Sequence, residues 1–483
     1  MKQYRKFTKD VLTLALVTIF ISLAQIVLLP LLTKNLGARD FGIWVSIILT
    51  ADFLALVASL GLGSGIIRFF SRNNKNLRNK KDLFSILFLG VITGIFFSVL
   101  LFLLSNPIAT YIFKDPSSYI FIRVASIMVF LATLNVLIVN YFNAIRKIYT
   151  YSSLLFLQSF IELLAVFYFI LNGFGLGGAI IGSILSRLLV TIVGFILIKG
   201  NITFNLDFTR LKSYLIYSLP LAPLSFFFWI IHSSNSYIIG LFGGAANIGI
   251  YSFVYSLSKI MFLFMGPIGL ILYPALSMAW DNKKFKEAKN YLSYSLKYFL
   301  LLAIPSIFGL TFLAKPLIKI IADNNFLGGA ILFPLIAGGL MLYKIGEIFL
   351  YILTSKKETL KIFYIYGSGA LFSLVLSFFL VYLYGIIGAA IATFATYLYI
   401  FIVMFFKSYI AFKFKIDYKF LVKSLIASVV MSIIIPLFNI NNLFGLIKVI
   451  ILGVVIYFAI ILLTKAIKKE EMLFLYNSII KKN

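Results

Sequence analysis

"LGARDFGIW" occupies Leu36–Trp44, and "GGAANIGIY" occupies Gly243–Tyr251. The stretches lie 207 residues apart and agree at Gly37/Gly244, Ala38/Ala245, Gly42/Gly249 and Ile43/Ile250. Asp40 stands opposite Asn247, and an aromatic residue, Trp44 or Tyr251, closes each run. A glycine-bearing motif that recurs half a chain away predicts one turn made twice, and its surroundings say what the turn joins.

Those surroundings are apolar. The chain is 62% hydrophobic with a mean hydropathy of +1.06, whereas soluble domains sit nearer 45–50% apolar. With no cysteine there is no disulfide, thiol nucleophile or Cys-ligated metal, and a single histidine, His232, excludes a multi-His metal site. Only 15 acidic residues are present. The material for hydrolytic, metal or cofactor chemistry is thin, and the composition predicts neither an enzyme nor a cofactor. The basic start "MKQYRKFTKD" precedes an apolar run long enough to span and shows no small-residue cleavage site, so it reads as a first transmembrane helix.

A helix needs about 20 apolar residues to cross a bilayer. On that length, spans fall near 11–32, 42–67, 83–104, 120–142, 152–172, 178–198, 214–241, 250–276, 293–314, 330–353, 362–383, 388–406, 420–438 and 447–464. The expectation is an all-α polytopic membrane protein with fourteen spans, numbered here in chain order. Continuous rather than alternating apolar runs exclude a β-barrel.

The net charge of +28 follows the same map. The N-terminus, every second connection after it and the tail 465–483 carry 31 Lys and Arg, against 5 in the alternate connections. The positive-inside rule then puts both termini in the cytoplasm and assigns a cell-membrane location. The excess charge is topology signal and contact with membrane lipids. No basic loop is long enough to form a nucleic-acid-binding domain, and none can hide a catalytic one.

On this map "LGARDFGIW" joins spans 1 and 2, "GGAANIGIY" joins spans 7 and 8, and both turns face outward. "GLGGAIIGS" (175–183) opening span 6 echoes "GIIGAAIAT" (385–393) opening span 12, at an offset of 210; Arg146–Lys147 and Lys356–Lys357 form a weaker echo at the same offset. Spans 1–6 and 7–12 therefore read as one six-helix unit used twice in the same orientation, a parallel repeat. The predicted domains are an N-lobe at 1–200, a C-lobe at 201–410, and 411–483 with spans 13–14 and a cytoplasmic tail. Two lobes about a seam is the architecture of alternating access, with substrate at the lobe interface.

"LGARDFGIW", "SLGLGSGIIRFFS" (59–71), "SLPLAP" (218–223), "GGAANIGIYSF" and "YPALS" (273–277) together resemble the polysaccharide transporter family of the MOP superfamily. These are O-antigen-type and teichoic-type flippases, related to MATE multidrug exporters and the lipid II flippase. The resemblance covers spans 1–12. It implies transport of a polyprenyl-linked oligosaccharide from the cytoplasmic to the outer leaflet. One departure is Asn235 in "SSNSY", where relatives often carry an acid late in span 7, so the resemblance supplies no ionisable group for a coupling ion (H+ or Na+) there.

An ionisable residue at mid-bilayer costs about 2.5–3.5 kcal/mol on insertion scales and so needs a partner or a wet cavity. The offset of 207 pairs Asp52 of span 2 with Lys259 of span 8, and Gln25 of span 1 with His232 of span 7. With Asn235 these form a candidate gate or cavity layer across the seam; the plainer alternative is scattered polar residues satisfied by neighbouring helices. Glu162 and Arg187, at matched depth on spans 5 and 6, read as a structural ion pair within one lobe, and Lys344/Glu347 as an i,i+3 pair on span 10. A pyrophosphate crossing hydrocarbon needs cationic hydrogen-bond donors. Arg68, at the inner end of span 2, is the first candidate for head-group capture, with Arg187, Lys259 and Arg123 beside it. The alternatives are a positive-inside anchor for Arg68 and snorkelling to the interface for Arg123. Two other functions compete: a MATE-like drug or cation exporter, and an integral membrane polysaccharide polymerase, which would need a long outer loop that is absent.

Overall fold

The computed structural model describes residues 2–71 and 77–466. Residues 72–76 and most of the basic tail, 467–483, both part of the positive-inside count, lie outside the described residues. The described chain is helical, with no strand. Among the described residues, eleven helical runs are long and apolar enough to span. Three of these, Thr13–Ala58, Thr209–Asp281 and Thr359–Tyr409, are long enough for two crossings, and each contains one glycine with positive φ: Gly37, Gly244 and Gly385. Read as two spans each, they bring the number to fourteen. In lipid a backbone must satisfy its own polar groups, and helices joined through a single glycine leave few of them bare.

The repeated motif is a repeated conformation. Gly37 has φ 71° and ψ 179°, and Gly244 has φ 75° and ψ −176°, a combination essentially confined to glycine. The second echo behaves likewise, with φ 52° at Gly175 and 56° at Gly385. In the third the register slips: the left-handed residues are Arg146 and Lys357, an offset of 211 rather than 210. The helices before them end at Ala144 and Ser355, and those after begin at Ile148 and Thr359.

By packing, the chain divides into one unit of residues 1–253 and 366–392 and another of 254–365 and 393–483. This line differs from the lobes expected from the repeat, because a repeat boundary follows sequence whereas a packing boundary follows which helices touch. The first unit therefore holds the first six spans together with span 7, the second turn, most of span 11 and the opening of span 12.

In the first unit, Leu62, Ile66, Phe70, Leu83, Ile86, Leu137, Ile138 and Val190 form a core between spans 2, 3, 4 and 6. Spans 5 and 6 pack at close range: a methyl on Gly182 would sit 2.8 Å from the backbone nitrogen of Val166. The other face of span 3 (Ile95, Phe96, Val99, Leu103) is exposed, as suits lipid. In the second unit, Lys297 pairs with Asp417 at 3.3 Å, and Asp417 also caps Tyr418–Ile434 by accepting from the backbone N–H of Phe420.

Candidate functional site: the seam between the repeats

Within the first unit, span 2 of the first copy runs against span 7 and the second turn of the other. The closest approach lies between the two quoted motifs. A Cβ on Gly42 would fall on the carbonyl oxygen of Ala245, and a Cβ on Gly249 would fall on the carbonyl oxygen of Ala38. The glycines of each motif thus do two jobs: Gly37 and Gly244 turn the chain, while Gly42 and Gly249 admit the other copy's backbone.

The connection between spans 3 and 4 straps this crossing. Arg39 of the first turn pairs with Asp115. The backbone N–H of Ala245 in the second turn donates to Phe113 O at 3.1 Å, and Lys114 Nζ donates to Phe242 O at 2.7 Å. Burial pushes the Asp115 carboxyl up, but hydrogen bonds from Ser117 and Arg39, with the Arg39 charge, outweigh it and hold it below the usual carboxylate range.

Along the seam from the crossing, the Thr50 hydroxyl meets the Tyr237 hydroxyl at 2.7 Å. Phe53 then stacks on Trp229 with ring centroids 4.1 Å apart. Gly61 and Gly65 lie against Ser218, and at the far end the exposed Arg68 guanidinium lies 4.0 Å above the ring of Tyr217. Stacking leaves the edge donors of a guanidinium unused, a common arrangement where phosphate is bound.

Beside the seam lies a polar cluster inside the first copy. Arg187 is buried and pairs with Asp52, which is half open to solvent, at 2.8 Å. Its Nη1 approaches Met128 Sδ, and its carbonyl accepts from Asn135 Nδ2 and Thr191 Oγ1. Glu162 accepts from Ser183 Oγ at 3.0 Å. This corrects the pairing expected from depth alone: the ion pair of Arg187 is with Asp52, not Glu162. Depth fixes a residue's height along a span, but its direction around the helix chooses the partner. The guanidinium of Arg187 is correspondingly committed, not open to a ligand as a substrate-binding role would require, and Asp52 faces Arg187 in this structure.

The remaining residues are placed as follows. Gln25 is exposed on span 1 and His232 is half-buried on span 7. Asn235 is buried, with its Nδ2 3.4 Å from the Tyr251 hydroxyl. Arg123 donates to Ser105 Oγ at 3.1 Å and lies over the Tyr119 ring. In the second unit, Lys344 bonds Glu347 at 2.6 Å and sits 3.7 Å from the Phe262 ring centre, while Tyr351 donates to Glu347. Lys259, exposed and 5.3 Å from the Tyr255 ring, occupies a break between Ala222–Ser258 and Ile260–Asp281. Asp52, its repeat counterpart, lies within a continuous helix. Sequence reasoning missed this break, the Tyr217 stack and the strap at 113–115. Gly42 and Gly249 were visible as matched glycines five residues beyond the turn, too far along to serve the turn itself. Among the described residues no group of acids and histidine is arranged to hold a metal.

The fold is shared with solved transporters of the MOP superfamily. The chain superposes on the lipid II flippase MurJ in an inward closed conformation with a TM-score of 0.76, at 17% identity over 92% of this chain and 97% of that one. It also superposes on an inward-facing multidrug resistance MATE family transporter (0.65, 15% identity, covering 81% and 94%) and on a MOP superfamily transporter from Pyrococcus furiosus (0.56, 14%, covering 84% and 94%). The profile of the polysaccharide biosynthesis protein family matches residues 31–330, and the chain belongs to that family. No curated protein matches its sequence at a significant level.

Proposed function

We propose that the protein carries a polyprenyl-(pyro)phosphate-linked oligosaccharide from the cytoplasmic to the outer leaflet of the cell membrane by alternating access. In this reading both termini are cytoplasmic and the crossed turns form the outer closure. One observation carries it: in a member of a polysaccharide biosynthesis family, two helical copies meet along a seam closed at one end by glycine backbone contact and lined at the other by a stacked, exposed arginine. Arg68 takes the pyrophosphate at the cytoplasmic end. Gln25, Asp52, His232 and Asn235 form the polar layer nearer the outside. A coupling ion, H+ or Na+, would act at the Asp52 carboxylate, whose charge balances the buried Arg187 guanidinium.

The test is a deletion strain of the source organism. Loss of a surface glycan, with its lipid-linked precursor accumulating where only cytoplasmic-side reagents reach it, is the expected result. Unaltered glycan with increased sensitivity to cationic dyes would replace this reading with the MATE-like exporter, whose organic-cation substrates would suit the half-exposed Asp52 carboxylate and the Phe53–Trp229 stack.

A further inference from the structure

The second unit contains a cleft of about 510 Å³ that the seam does not use. Its walls include Phe312, Pro316, Ile331, Ile435, Pro436 and Phe438, from the ends of spans 9 and 13 and the connection before span 10, and Lys315 stands in the same lining. The volume is that of a site for a ligand with one or two alkyl segments rather than for a water cluster.

The charge around it is unusual for this side of the membrane. By the alternation of fourteen spans, the cleft opens on the side of the glycine turns, where the connections carry only five cations: Lys34, Arg39, Lys114, Lys315 and Lys319. Arg39 is paired with Asp115, and Lys114 is bonded to Phe242 O. Lys315 and Lys319 lie one turn apart on the short helix Ala314–Ile321, which buries Ala314, Leu317 and Ile318 and exposes both lysines. Neither lysine has a hydrogen-bond or ion-pair partner among the described residues. Asp323, four residues beyond Lys319, is the obvious partner, but its carboxylate accepts instead from the Asn324 backbone and Asn325 Nδ2, at 2.7 and 2.9 Å.

The geometry points to a binding site for an anionic phospholipid of the surrounding membrane, with phosphate at Lys315 and Lys319 and acyl chain in the cleft. Ile331 and Phe438, both in the lining, are exposed, so the apolar wall of the cleft is accessible from outside the protein. One of the two lysines, Lys315, stands in the lining of a largely apolar slot and the other lies one turn away, which suits a ligand that joins a phosphate to hydrocarbon. Near a membrane surface each lysine is worth about five-fold in preference for anionic lipid, so the pair favours an anionic over a zwitterionic headgroup by about 25-fold.

The test is native mass spectrometry of the full chain purified in detergent with equal phosphatidylglycerol and phosphatidylcholine. The wild type is expected to retain one phosphatidylglycerol preferentially. The Lys315→Gln/Lys319→Gln variant should lose that preference, Ala330→Trp, which fills the cleft, should lose the bound lipid, and Lys34→Gln, on the same membrane side, should behave as wild type. Equal retention of both lipids by the wild type, unchanged retention in both cleft variants, or an equal loss in Lys34→Gln would each overturn the site. None of these readouts depends on transport, so failure of the flippase reading would leave the result interpretable.

Discussion

Replacing Gly42 with alanine puts a methyl group where the Ala245 carbonyl oxygen now lies. That oxygen belongs to helix backbone and cannot rotate away. The helices must part by on the order of 1 Å or more to restore the about 3.3–3.6 Å usual for carbon against carbonyl oxygen. Overpacking of this kind costs about 1–3 kcal/mol. If the cost falls only on the state in which the turns cross, the closed-to-open ratio drops about 5- to 150-fold. The chain has no native cysteine, so a cysteine at Ala38, which is only 6% exposed, reports the crossing without background. Its labelling by a membrane-impermeant maleimide should accelerate by that factor in Gly42→Ala and in Gly249→Ala. The double variant should gain less than the sum, because the first methyl has already parted the helices. Gly200→Ala, in open space with ordinary backbone, should do nothing. Unchanged labelling in a well-folded Gly42→Ala protein would refute the crossing as a closure.

Other outcomes follow from the same geometry. Arg68→Ala should abolish export of the lipid-linked glycan at normal protein level, and Arg68→Lys should keep part of it, since charge survives without the stacking fork; normal export by the alanine variant would leave Arg68 an anchor. Asp52→Ala should lower the thermal stability of the purified protein by about 1–3 kcal/mol, less than for a fully buried pair because Asp52 is half open, and Asp52→Ala/Arg187→Met should recover much of it; additive losses would deny the coupling. Asp115 has a lowered folded pKa, so its contribution is present above the ordinary carboxylate value of about 3.9 and disappears as pH falls through the folded value. The melting-temperature advantage of wild type over Asp115→Asn should therefore be constant from pH 7 to 5 and shrink toward pH 3; a constant gap at all pH would contradict it. A reporter active only in the cytoplasm should work after residue 285 and fail after residues 110 and 245, and activity at 245 would break the orientation.

Much of this fold was legible because bilayer thickness and helix rise leave few choices: apolar length gave the spans, and paired glycines gave turns that match to within a few degrees at Gly37 and Gly244. The candidate site was legible only in part. Depth along a helix can be counted, so Asp52, Glu162 and Arg187 were placed at one level. The angle around each helix cannot be counted across a boundary of unknown rotation, so the wrong acid was given to Arg187. The break at Lys259 left no proline or glycine beside it to announce it. The strap at 113–115 acts largely through backbone carbonyls, which carry no residue code.

The contact of Gly42 with Ala245 and of Gly249 with Ala38 is reciprocal: each position meets, in the other copy, the counterpart of what meets it. That is the form of an isologous interface, the kind made by two identical subunits about a two-fold axis, here preserved inside one polypeptide. It ties the histories of the two motifs. A bulkier residue at 42 cannot be accommodated by any change of side chain at 245, since the obstacle is a peptide oxygen common to all residues. Relief must come from moving a helix, and moving it shifts the matching contact at 249. At this crossing the two halves of the chain must stay alike to remain in register.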